Sequence, residues 1–301
     1  MPGDGGWAAR AVPLETGARA VLLAGDGGTA AAVVYVVVDD HRGGAGGAGG
    51  AAGPCRLAVV DLSRSALAGA HAACAPGEQP TGLALGTDPA GRPVAFLGLW
   101  RPAAAGAPEA ARLVALDART GRLRGAYRFG AGAATGPLTL AADPTGRPRL
   151  YALGAMLDTT PQPLDDFGLR FAEATDWRLL EFHPDDLTPA GEYALRHGAA
   201  GLTVAPDGRD AYTVSRGGGA SGALLQRIDL TTGTATVLGR APGGSAAGAE
   251  VTVAHDRLYV PDTWGDRLWV LDRAGRPLGT VPTGRRPLGL AVGAAPARAR
   301  A

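Results

Sequence analysis

The apolar positions of this chain come in short bursts, and one burst repeats. Leu83 to Asp88 (LALGTD), Leu138 to Asp143 (LTLAAD), Leu202 to Asp207 (LTVAPD) and Val251 to Asp256 (VTVAHD) are variants of one phrase, an apolar strand running into an acidic turn. Val21 to Asp26 (VLLAGD) and the stretch from Leu290 (LAVGAAP) are worn copies. Most copies are followed by a second apolar segment, at 33–38, 93–99, 149–153, 210–215 and 257–260. Two such segments joined by a turn predict a hairpin. A third segment then ends in Asp61, Asp117, Asp229 or Asp272, with His183 once in that place. Turns such as ARTG (118–121) and LTTG (230–233) follow, in which Asp and Thr bond local backbone and Gly accepts positive φ. A fourth segment, exemplified by 234–238, closes the unit.

The first-strand anchors Val21, Leu83, Leu138, Leu202, Val251 and Leu290 stand 39 to 64 residues apart. The longer units carry insertions, mainly between their second and third strands, at 42–53, 102–111, 158–176 and 216–223. A four-stranded sheet this short cannot bury both faces alone, whereas radial stacking buries each sheet against its neighbours. The pattern therefore predicts an all-β chain, a single domain over residues 1–301 built as a ring of four-stranded antiparallel sheets. Its units fall at about 20–80, 81–135, 136–197, 198–246 and 247–287, with closing strands at 8–15 and 288–293. That makes six sheets if the two end strands share a split one; seven sheets, or a fragment of a larger protein, are the alternatives.

Residues 258–293, LYVPDTWGDRLWVLDRAGRPLGTVPTGRRPLGLAVG, resemble the YVTN-type β-propeller repeat, as do residues 202–238. LYVPDTWGDR is also similar to NHL-type repeats, and lactonase-like propellers resemble the chain in repeat pattern. The resemblance implies a bacterial propeller that holds a protein, a glycan or a small ligand outside the cytoplasm without catalysis. Its alternative is a metal-dependent propeller hydrolase or lactonase with carboxylates at the channel mouth. LVALDARTGRLRGAY (113–127) resembles one docking motif of the quinoprotein dehydrogenases, but Gly125 and Ala126 stand where that family has Trp. Pyrroloquinoline quinone is therefore not expected, and calcium is the one cofactor the hydrolase alternative brings.

Composition narrows the picture. The chain has 48 Gly, 23 Pro and no Lys or Asn, which reads as codon bias and makes its alanines a poor helix signal. A formal net charge of +1 with scattered arginines gives no general attraction to nucleic acid or acidic membranes. The longest apolar run, 30–38, falls far short of the roughly 20 residues that span a bilayer. No basic region followed by an apolar core marks a signal peptide near the amino terminus.

Candidate chemistry sits after the second strands. Asp39, Asp40 and His41, then Trp100 and Arg101, Asp158, Arg216, and Asp262 with Trp264 and Asp266 would ring one mouth of the channel. Carboxylates with aromatic neighbours can hold a cation or a polar ligand, although turn-capping Asp explains the same residues. The insertion at 163–177 mixes acids with Phe167, Phe171 and Trp177, which suits a loop packed on its own aromatics or a partner-binding loop. Cys55 and Cys74 flank one hairpin and stand opposite each other by antiparallel counting, so they form either a disulfide or two half-buried thiols. A disulfide would imply an oxidising compartment. Ser221 in GASGA misses the G-x-S-x-G elbow, and the five histidines lack metal spacing.

Overall fold

The computed structural model describes residues 18–22, 33–38, 55–61, 66–75, 77–101, 110–130, 132–157, 174–215, 223–240, 250–262 and 265–284. Every regular element among them is a strand, and the strands form five four-stranded antiparallel sheets, each a simple meander. Sheet 1 holds β1 (Ala18–Leu22), β2 (Val33–Val38), β3 (Arg56–Asp61) and β4 (Ala66–Ala72). Sheet 2 holds β5 (Gln79–Thr87), β6 (Pro93–Arg101), β7 (Ala110–Asp117) and β8 (Leu123–Arg128). In sheet 3 the strands are β9 (Ala133–Ala142), β10 (Pro148–Leu157), β11 (Ala174–Phe182) and β12 (Pro189–Ala194). Sheet 4 follows with β13 (Gly201–Val204), β14 (Asp210–Val214), β15 (Leu224–Asp229) and β16 (Thr234–Arg240). Sheet 5 is made of β17 (Thr252–Ala254), β18 (Arg257–Asp262), β19 (Arg267–Asp272) and β20 (Pro277–Pro282). The expected closing strands at 8–15 and 288–293 lie outside the described residues.

Several strands outrun their sequence phrases. β5 begins at Gln79 rather than Leu83, and β9 at Ala133 rather than Leu138. Each crosses a bulge beside a Thr-Gly pair, between Pro80 and Gly82 in β5 and opposite Ala152–Gly154 in β9. The glycines explain the extension: a Cβ on Gly82 would lie 2.7 Å from the Gly136 carbonyl oxygen and 2.9 Å from the Leu138 nitrogen. Two inner strands thus touch backbone to backbone where any side chain would part them.

Each of sheets 2 to 4 buries one face against the sheet before it and the other against the sheet after it. Leu57, Cys55 and Val59 of sheet 1 pack on Ala95, Leu97, Val114 and Leu116 of sheet 2. The opposite face of sheet 2, with Val94, Phe96, Leu113 and Ala115, packs on Leu138, Leu150, Ala152 and Phe182 of sheet 3. Tyr151, Leu153 and Leu179 then meet Ala211, Ile228 and Ala235 of sheet 4, and Tyr212, Val214 and Leu225 meet Val253, Leu258, Val260 and Leu271 of sheet 5. Alternation with period two on strands apolar throughout delivers these four inter-sheet cores. We call the face toward the next sheet the leading face.

The third–fourth turn locks each sheet to its predecessor. Gly121, Gly233 and Gly275 all have positive φ and lie against the fourth strand of the preceding sheet: a Cβ on Gly121 would press on His71 at 2.4 Å and one on Gly275 on Leu238 at 2.9 Å, while at Gly233 it would meet Tyr193 in ordinary contact at 3.9 Å. Sheet 3 solves the same problem differently. Its turn has Leu187 at φ 59°, donating its N–H to the His183 carbonyl just as Gly121 and Gly233 donate to Asp117 and Asp229. Leu187 is buried beside Tyr127 of sheet 2. Its packing offsets the roughly 1–2 kcal/mol that a left-handed non-glycine residue costs.

Cys55 and Cys74 are joined as a disulfide with their Cα atoms 5.1 Å apart. The counting is corrected in one respect: Ala73, not Cys74, stands opposite Cys55 and donates its N–H to the Cys55 carbonyl at 2.9 Å. The register shift between Val59 and Val60 takes up one residue of the hairpin.

Candidate ligand-binding face and turn face

In an up-and-down sheet the first–second and third–fourth turns emerge at one end, and the second–third connections at the other. The five second strands, ending at Val38, Arg101, Leu157, Val214 and Asp262, lead into the segments that carry the candidate residues. Asp39, Asp40, His41, Asp158, Arg216 and Trp264 lie outside the described residues. Trp100 and Arg101 close β6, opposite Ala111 and Ala110. Trp100 is buried against Ala111, Ala134 and Phe129, so its ring serves the contact between sheets 2 and 3, while Arg101 is exposed.

Asp262 is 4% exposed and closely engaged. Its carboxylate accepts from the Gly265 N–H at 2.9 Å, from Arg267 Nε at 3.0 Å and from Trp269 Nε1 at 3.4 Å. The Arg267 guanidinium lies 5.1 Å from the centre of the Trp269 ring. A Cβ on Gly265 would fall 2.2 Å from Asp262 Oδ2, so the carboxylate that this turn wraps requires glycine at 265. Asp262 thus holds the second–third turn of sheet 5, and a neighbouring cation already balances its charge. Trp100 and Arg101 stand in sheet 2 and Asp262 in sheet 5, so the described residues do not bring these candidates together. Trp177, assigned by sequence to the insertion, belongs instead to β11 and is buried between sheets 3 and 4. Among the described residues no three His, Cys, Asp or Glu side chains group as a metal site.

The opposite end carries a charge pattern that sequence reading passed over. Asp88, Asp143 and Asp272 each open a turn of the form D-x-x-G-R, with Gly91, Gly146 and Gly275 at positive φ. In each, one carboxylate oxygen accepts the backbone N–H of the arginine four residues on, and the other takes its Nε, at 2.7 Å for Arg92, 3.1 Å for Arg147 and 2.6 Å for Arg276. Arg124 adds a contact to Asp88 at 2.7 Å. Sheet 3 extends the motif inward: Arg149 bridges Asp143 at 3.2 Å and Glu181 at 2.8 Å, and the Tyr193 hydroxyl donates to Glu181 at 2.6 Å. Burial, followed by that bond to Glu181, pushes the Tyr193 hydroxyl well above its usual range. The buried ions are paired and their remaining oxygens bonded, which is the condition under which such a group is tolerated.

These carboxylates make stability depend on pH in one direction. Burial alone would raise Asp88, but the Arg92 N–H and the Arg124 and Arg92 side chains outweigh it and hold the group well below the usual carboxylate range. At Asp143 burial is likewise outweighed, here by the Thr145 hydroxyl and the N–H groups of Arg147 and Thr145. Asp117, Asp229 and Asp272 are also lowered, by local hydrogen bonds. A group depressed on folding stabilises fully above its unfolded value, about 3.9, and loses that contribution as pH falls toward its folded value. The melting temperature is therefore expected to be flat from about pH 7 to 5 and to fall below about pH 4. Asp143→Asn should melt lower at pH 7 and show a shallower acid slope; an unchanged slope would remove the turn carboxylates as the cause.

No family model and no curated protein matches the chain. Solved structures do. A candidate 6-phosphogluconolactonase from Bacteroides uniformis aligns over 89% of this chain and 71% of its own, with TM-score 0.51 and 12% identity. Regucalcin, a calcium-binding protein from Agrobacterium tumefaciens, aligns over 84% and 71%, with TM-score 0.50 and 13% identity. Identities this low carry the architecture alone. Five meandering sheets with touching inner strands and interlocked turns, together with these likenesses, define a β-propeller.

Proposed function

We propose that the chain is a non-catalytic propeller that binds a protein, a glycan or a small ligand on the face carrying its second–third insertions. One observation carries this reading: the chain lengthens at the same topological place in successive sheets, after β2, β6, β10 and β14, while from sheet 2 onward the first–second and third–fourth turns have only two to six residues; the β1–β2 connection, with ten, is the exception. Lengthening concentrated at one end of a stacked set of sheets costs the fold little and builds surface there. The turn end offers no comparable freedom, since its carboxylates are bonded locally. The buried disulfide supports a site of action outside the reducing cytoplasm.

The alternative is a lactonase-like hydrolase with calcium held by Asp39, Asp158 and Asp262. Asp262 is poorly suited as a ligand while Arg267 and Trp269 occupy its oxygens. Asp262→Ala is also a poor test, because it unties the turn whether or not a metal binds. Asp158→Ala is the cleaner variant. The scaffold reading expects a melting temperature that is the same in millimolar calcium and in EDTA, and no hydrolysis of 6-phosphogluconolactone above the uncatalysed rate. A calcium-dependent rise of several degrees, lost in Asp158→Ala, would overturn it in favour of the hydrolase.

A further inference from the structure

One register position near the start of the third strand is arginine in four sheets: Arg56, Arg112, Arg178 and Arg267, each followed by leucine. Opposite them on the fourth strand stand Ala72, Arg128, Ala194 and Pro282. Of these four, only sheet 2 sets arginine against arginine. Directly opposed residues hold their Cβ atoms about 4.5–5.5 Å apart, and like charges there destabilise the pair. A third arginine adds to the cost. Arg101 lies two residues beyond Leu99, which is opposite Arg112, so it is a diagonal neighbour of Arg112 at about 7–8 Å. Leu97, Leu99 and Val114 pack toward sheet 1, and strand alternation puts all three arginines on that same side, opposite the leading face.

One carboxylate answers these three cations. Glu78 takes Arg112 Nε at 2.7 Å and Nη2 at 2.6 Å, and its Oε2 also accepts the Ala75 N–H at 2.7 Å. Arg101 and Arg128 are exposed, and among the described residues neither guanidinium meets a carboxylate. Two positive charges are thus left uncompensated at the end of sheet 2 from which its second–third connection departs. Arg112 Nη1 remains to donate beside them, and guanidinium groups pair well with oxyanions because their N–H donors come as a planar fork. We infer that Arg101, Arg112 and Arg128 bind a doubly charged tetrahedral oxyanion, a sulfate or phosphate group carried by a ligand. A single carboxylate would cancel only one of the two charges. The inference rests on the reading of this end as the binding end, and adds the charge of what binds there.

Calorimetric titration of the full chain at pH 8 with sodium sulfate and sodium phosphate tests it, at constant ionic strength so that general screening is the same throughout. Both dianions are expected to bind at least fivefold tighter than acetate. Arg101→Gln and Arg128→Gln should each weaken sulfate at least fivefold, whereas Arg122→Gln, which removes an exposed arginine of the third–fourth turn, should not change it. Without anion, Arg128→Gln should melt no lower than the parent, because it removes a like-charge neighbour, and sulfate should raise its melting temperature less. A heparin fragment binding tighter than free sulfate would identify a sulfated glycan as the source, and glycerol phosphate binding tighter than free phosphate would identify a small phosphate ester. Acetate binding as tightly as sulfate, equal sulfate affinity in parent and Arg128→Gln, or an equal loss in Arg122→Gln would overturn the inference. Calcium takes no part in these titrations, so their result is separate from the calcium and EDTA test of the scaffold reading.

Discussion

Gln226→Leu is expected to cost the protein on the order of 3 kcal/mol, a lowering of about 5–10 °C in melting temperature. Gln226 is fully buried on β15, and its side chain ties down the crossover from sheet 3 to sheet 4. Its Oε1 accepts from the Arg196 N–H at 2.9 Å and the His197 N–H at 3.2 Å, and its Nε2 donates to the His197 carbonyl at 3.0 Å and to Thr213 Oγ1 at 3.3 Å. Leucine matches the volume and supplies none of these bonds. It leaves three backbone groups without the amide, each costing about 1–3 kcal/mol where water does not replace it. Gln226→Glu separates the polar cause from packing. A carboxylate keeps the two acceptor bonds but cannot donate to His197, so the variant should be destabilised at pH 7 and recover relative to the parent as pH falls and the buried acid protonates. A cost below about 1 kcal/mol for the leucine variant, read from denaturant midpoints, would show that the crossover is held by other means.

How much of this was legible follows from whether the determining contacts are local. The repeated phrase fixed the strands because one face of each copy had to be apolar, and the Asp-turns were readable because Asp, Thr and Gly act on their own neighbours. The tyrosine or phenylalanine at one second-strand register, Tyr35, Phe96, Tyr151, Tyr212 and Tyr259, was present in the string as well. The D-x-x-G-R turns could have been found by the same self-comparison, since carboxylate and guanidinium lie four residues apart. Gln226 could not: its partners are about thirty residues away in the preceding crossover, and a lone glutamine in QRID carries no sign of them. Trp100 misled for a related reason. Its place after a second strand suggests a channel mouth, but burial against Phe129 and Ala134 depends on how closely sheets 2 and 3 approach. That approach is set by glycines elsewhere, Gly82 and Gly136 among them. Asp262 reads in the sequence as a channel-mouth carboxylate, and the role the structure gives it is to hold Gly265 and Arg267 in a turn.

Replacing Cys55 and Cys74 together by alanine is expected to lower stability by about 3 kcal/mol, most of it through the unfolded chain, which regains the freedom of the β3–β4 hairpin. The sequence separation is 19 residues, short enough that the estimate responds weakly to its details. The native crossover should survive the change, because Arg112 grips Glu78 with two bonds at 2.7 and 2.6 Å and Glu78 in turn accepts the Ala75 N–H at 2.7 Å. Sheet-rich circular dichroism should therefore be retained while the denaturant midpoint falls and its slope rises slightly, because the freed unfolded chain exposes more surface. Both sulfurs sit in the core between sheets 1 and 2, with Cys55 fully buried, so a thiol reductant reaches them only through opening of that core. Reduction in the native state should then be slow and track local opening, and it should accelerate sharply in partly denaturing conditions. Rapid reduction of the folded protein, or two titratable thiols in protein made in an oxidising compartment, would mean that the bond is not part of the folded core, and would take with it the argument for a site of action outside the cytoplasm.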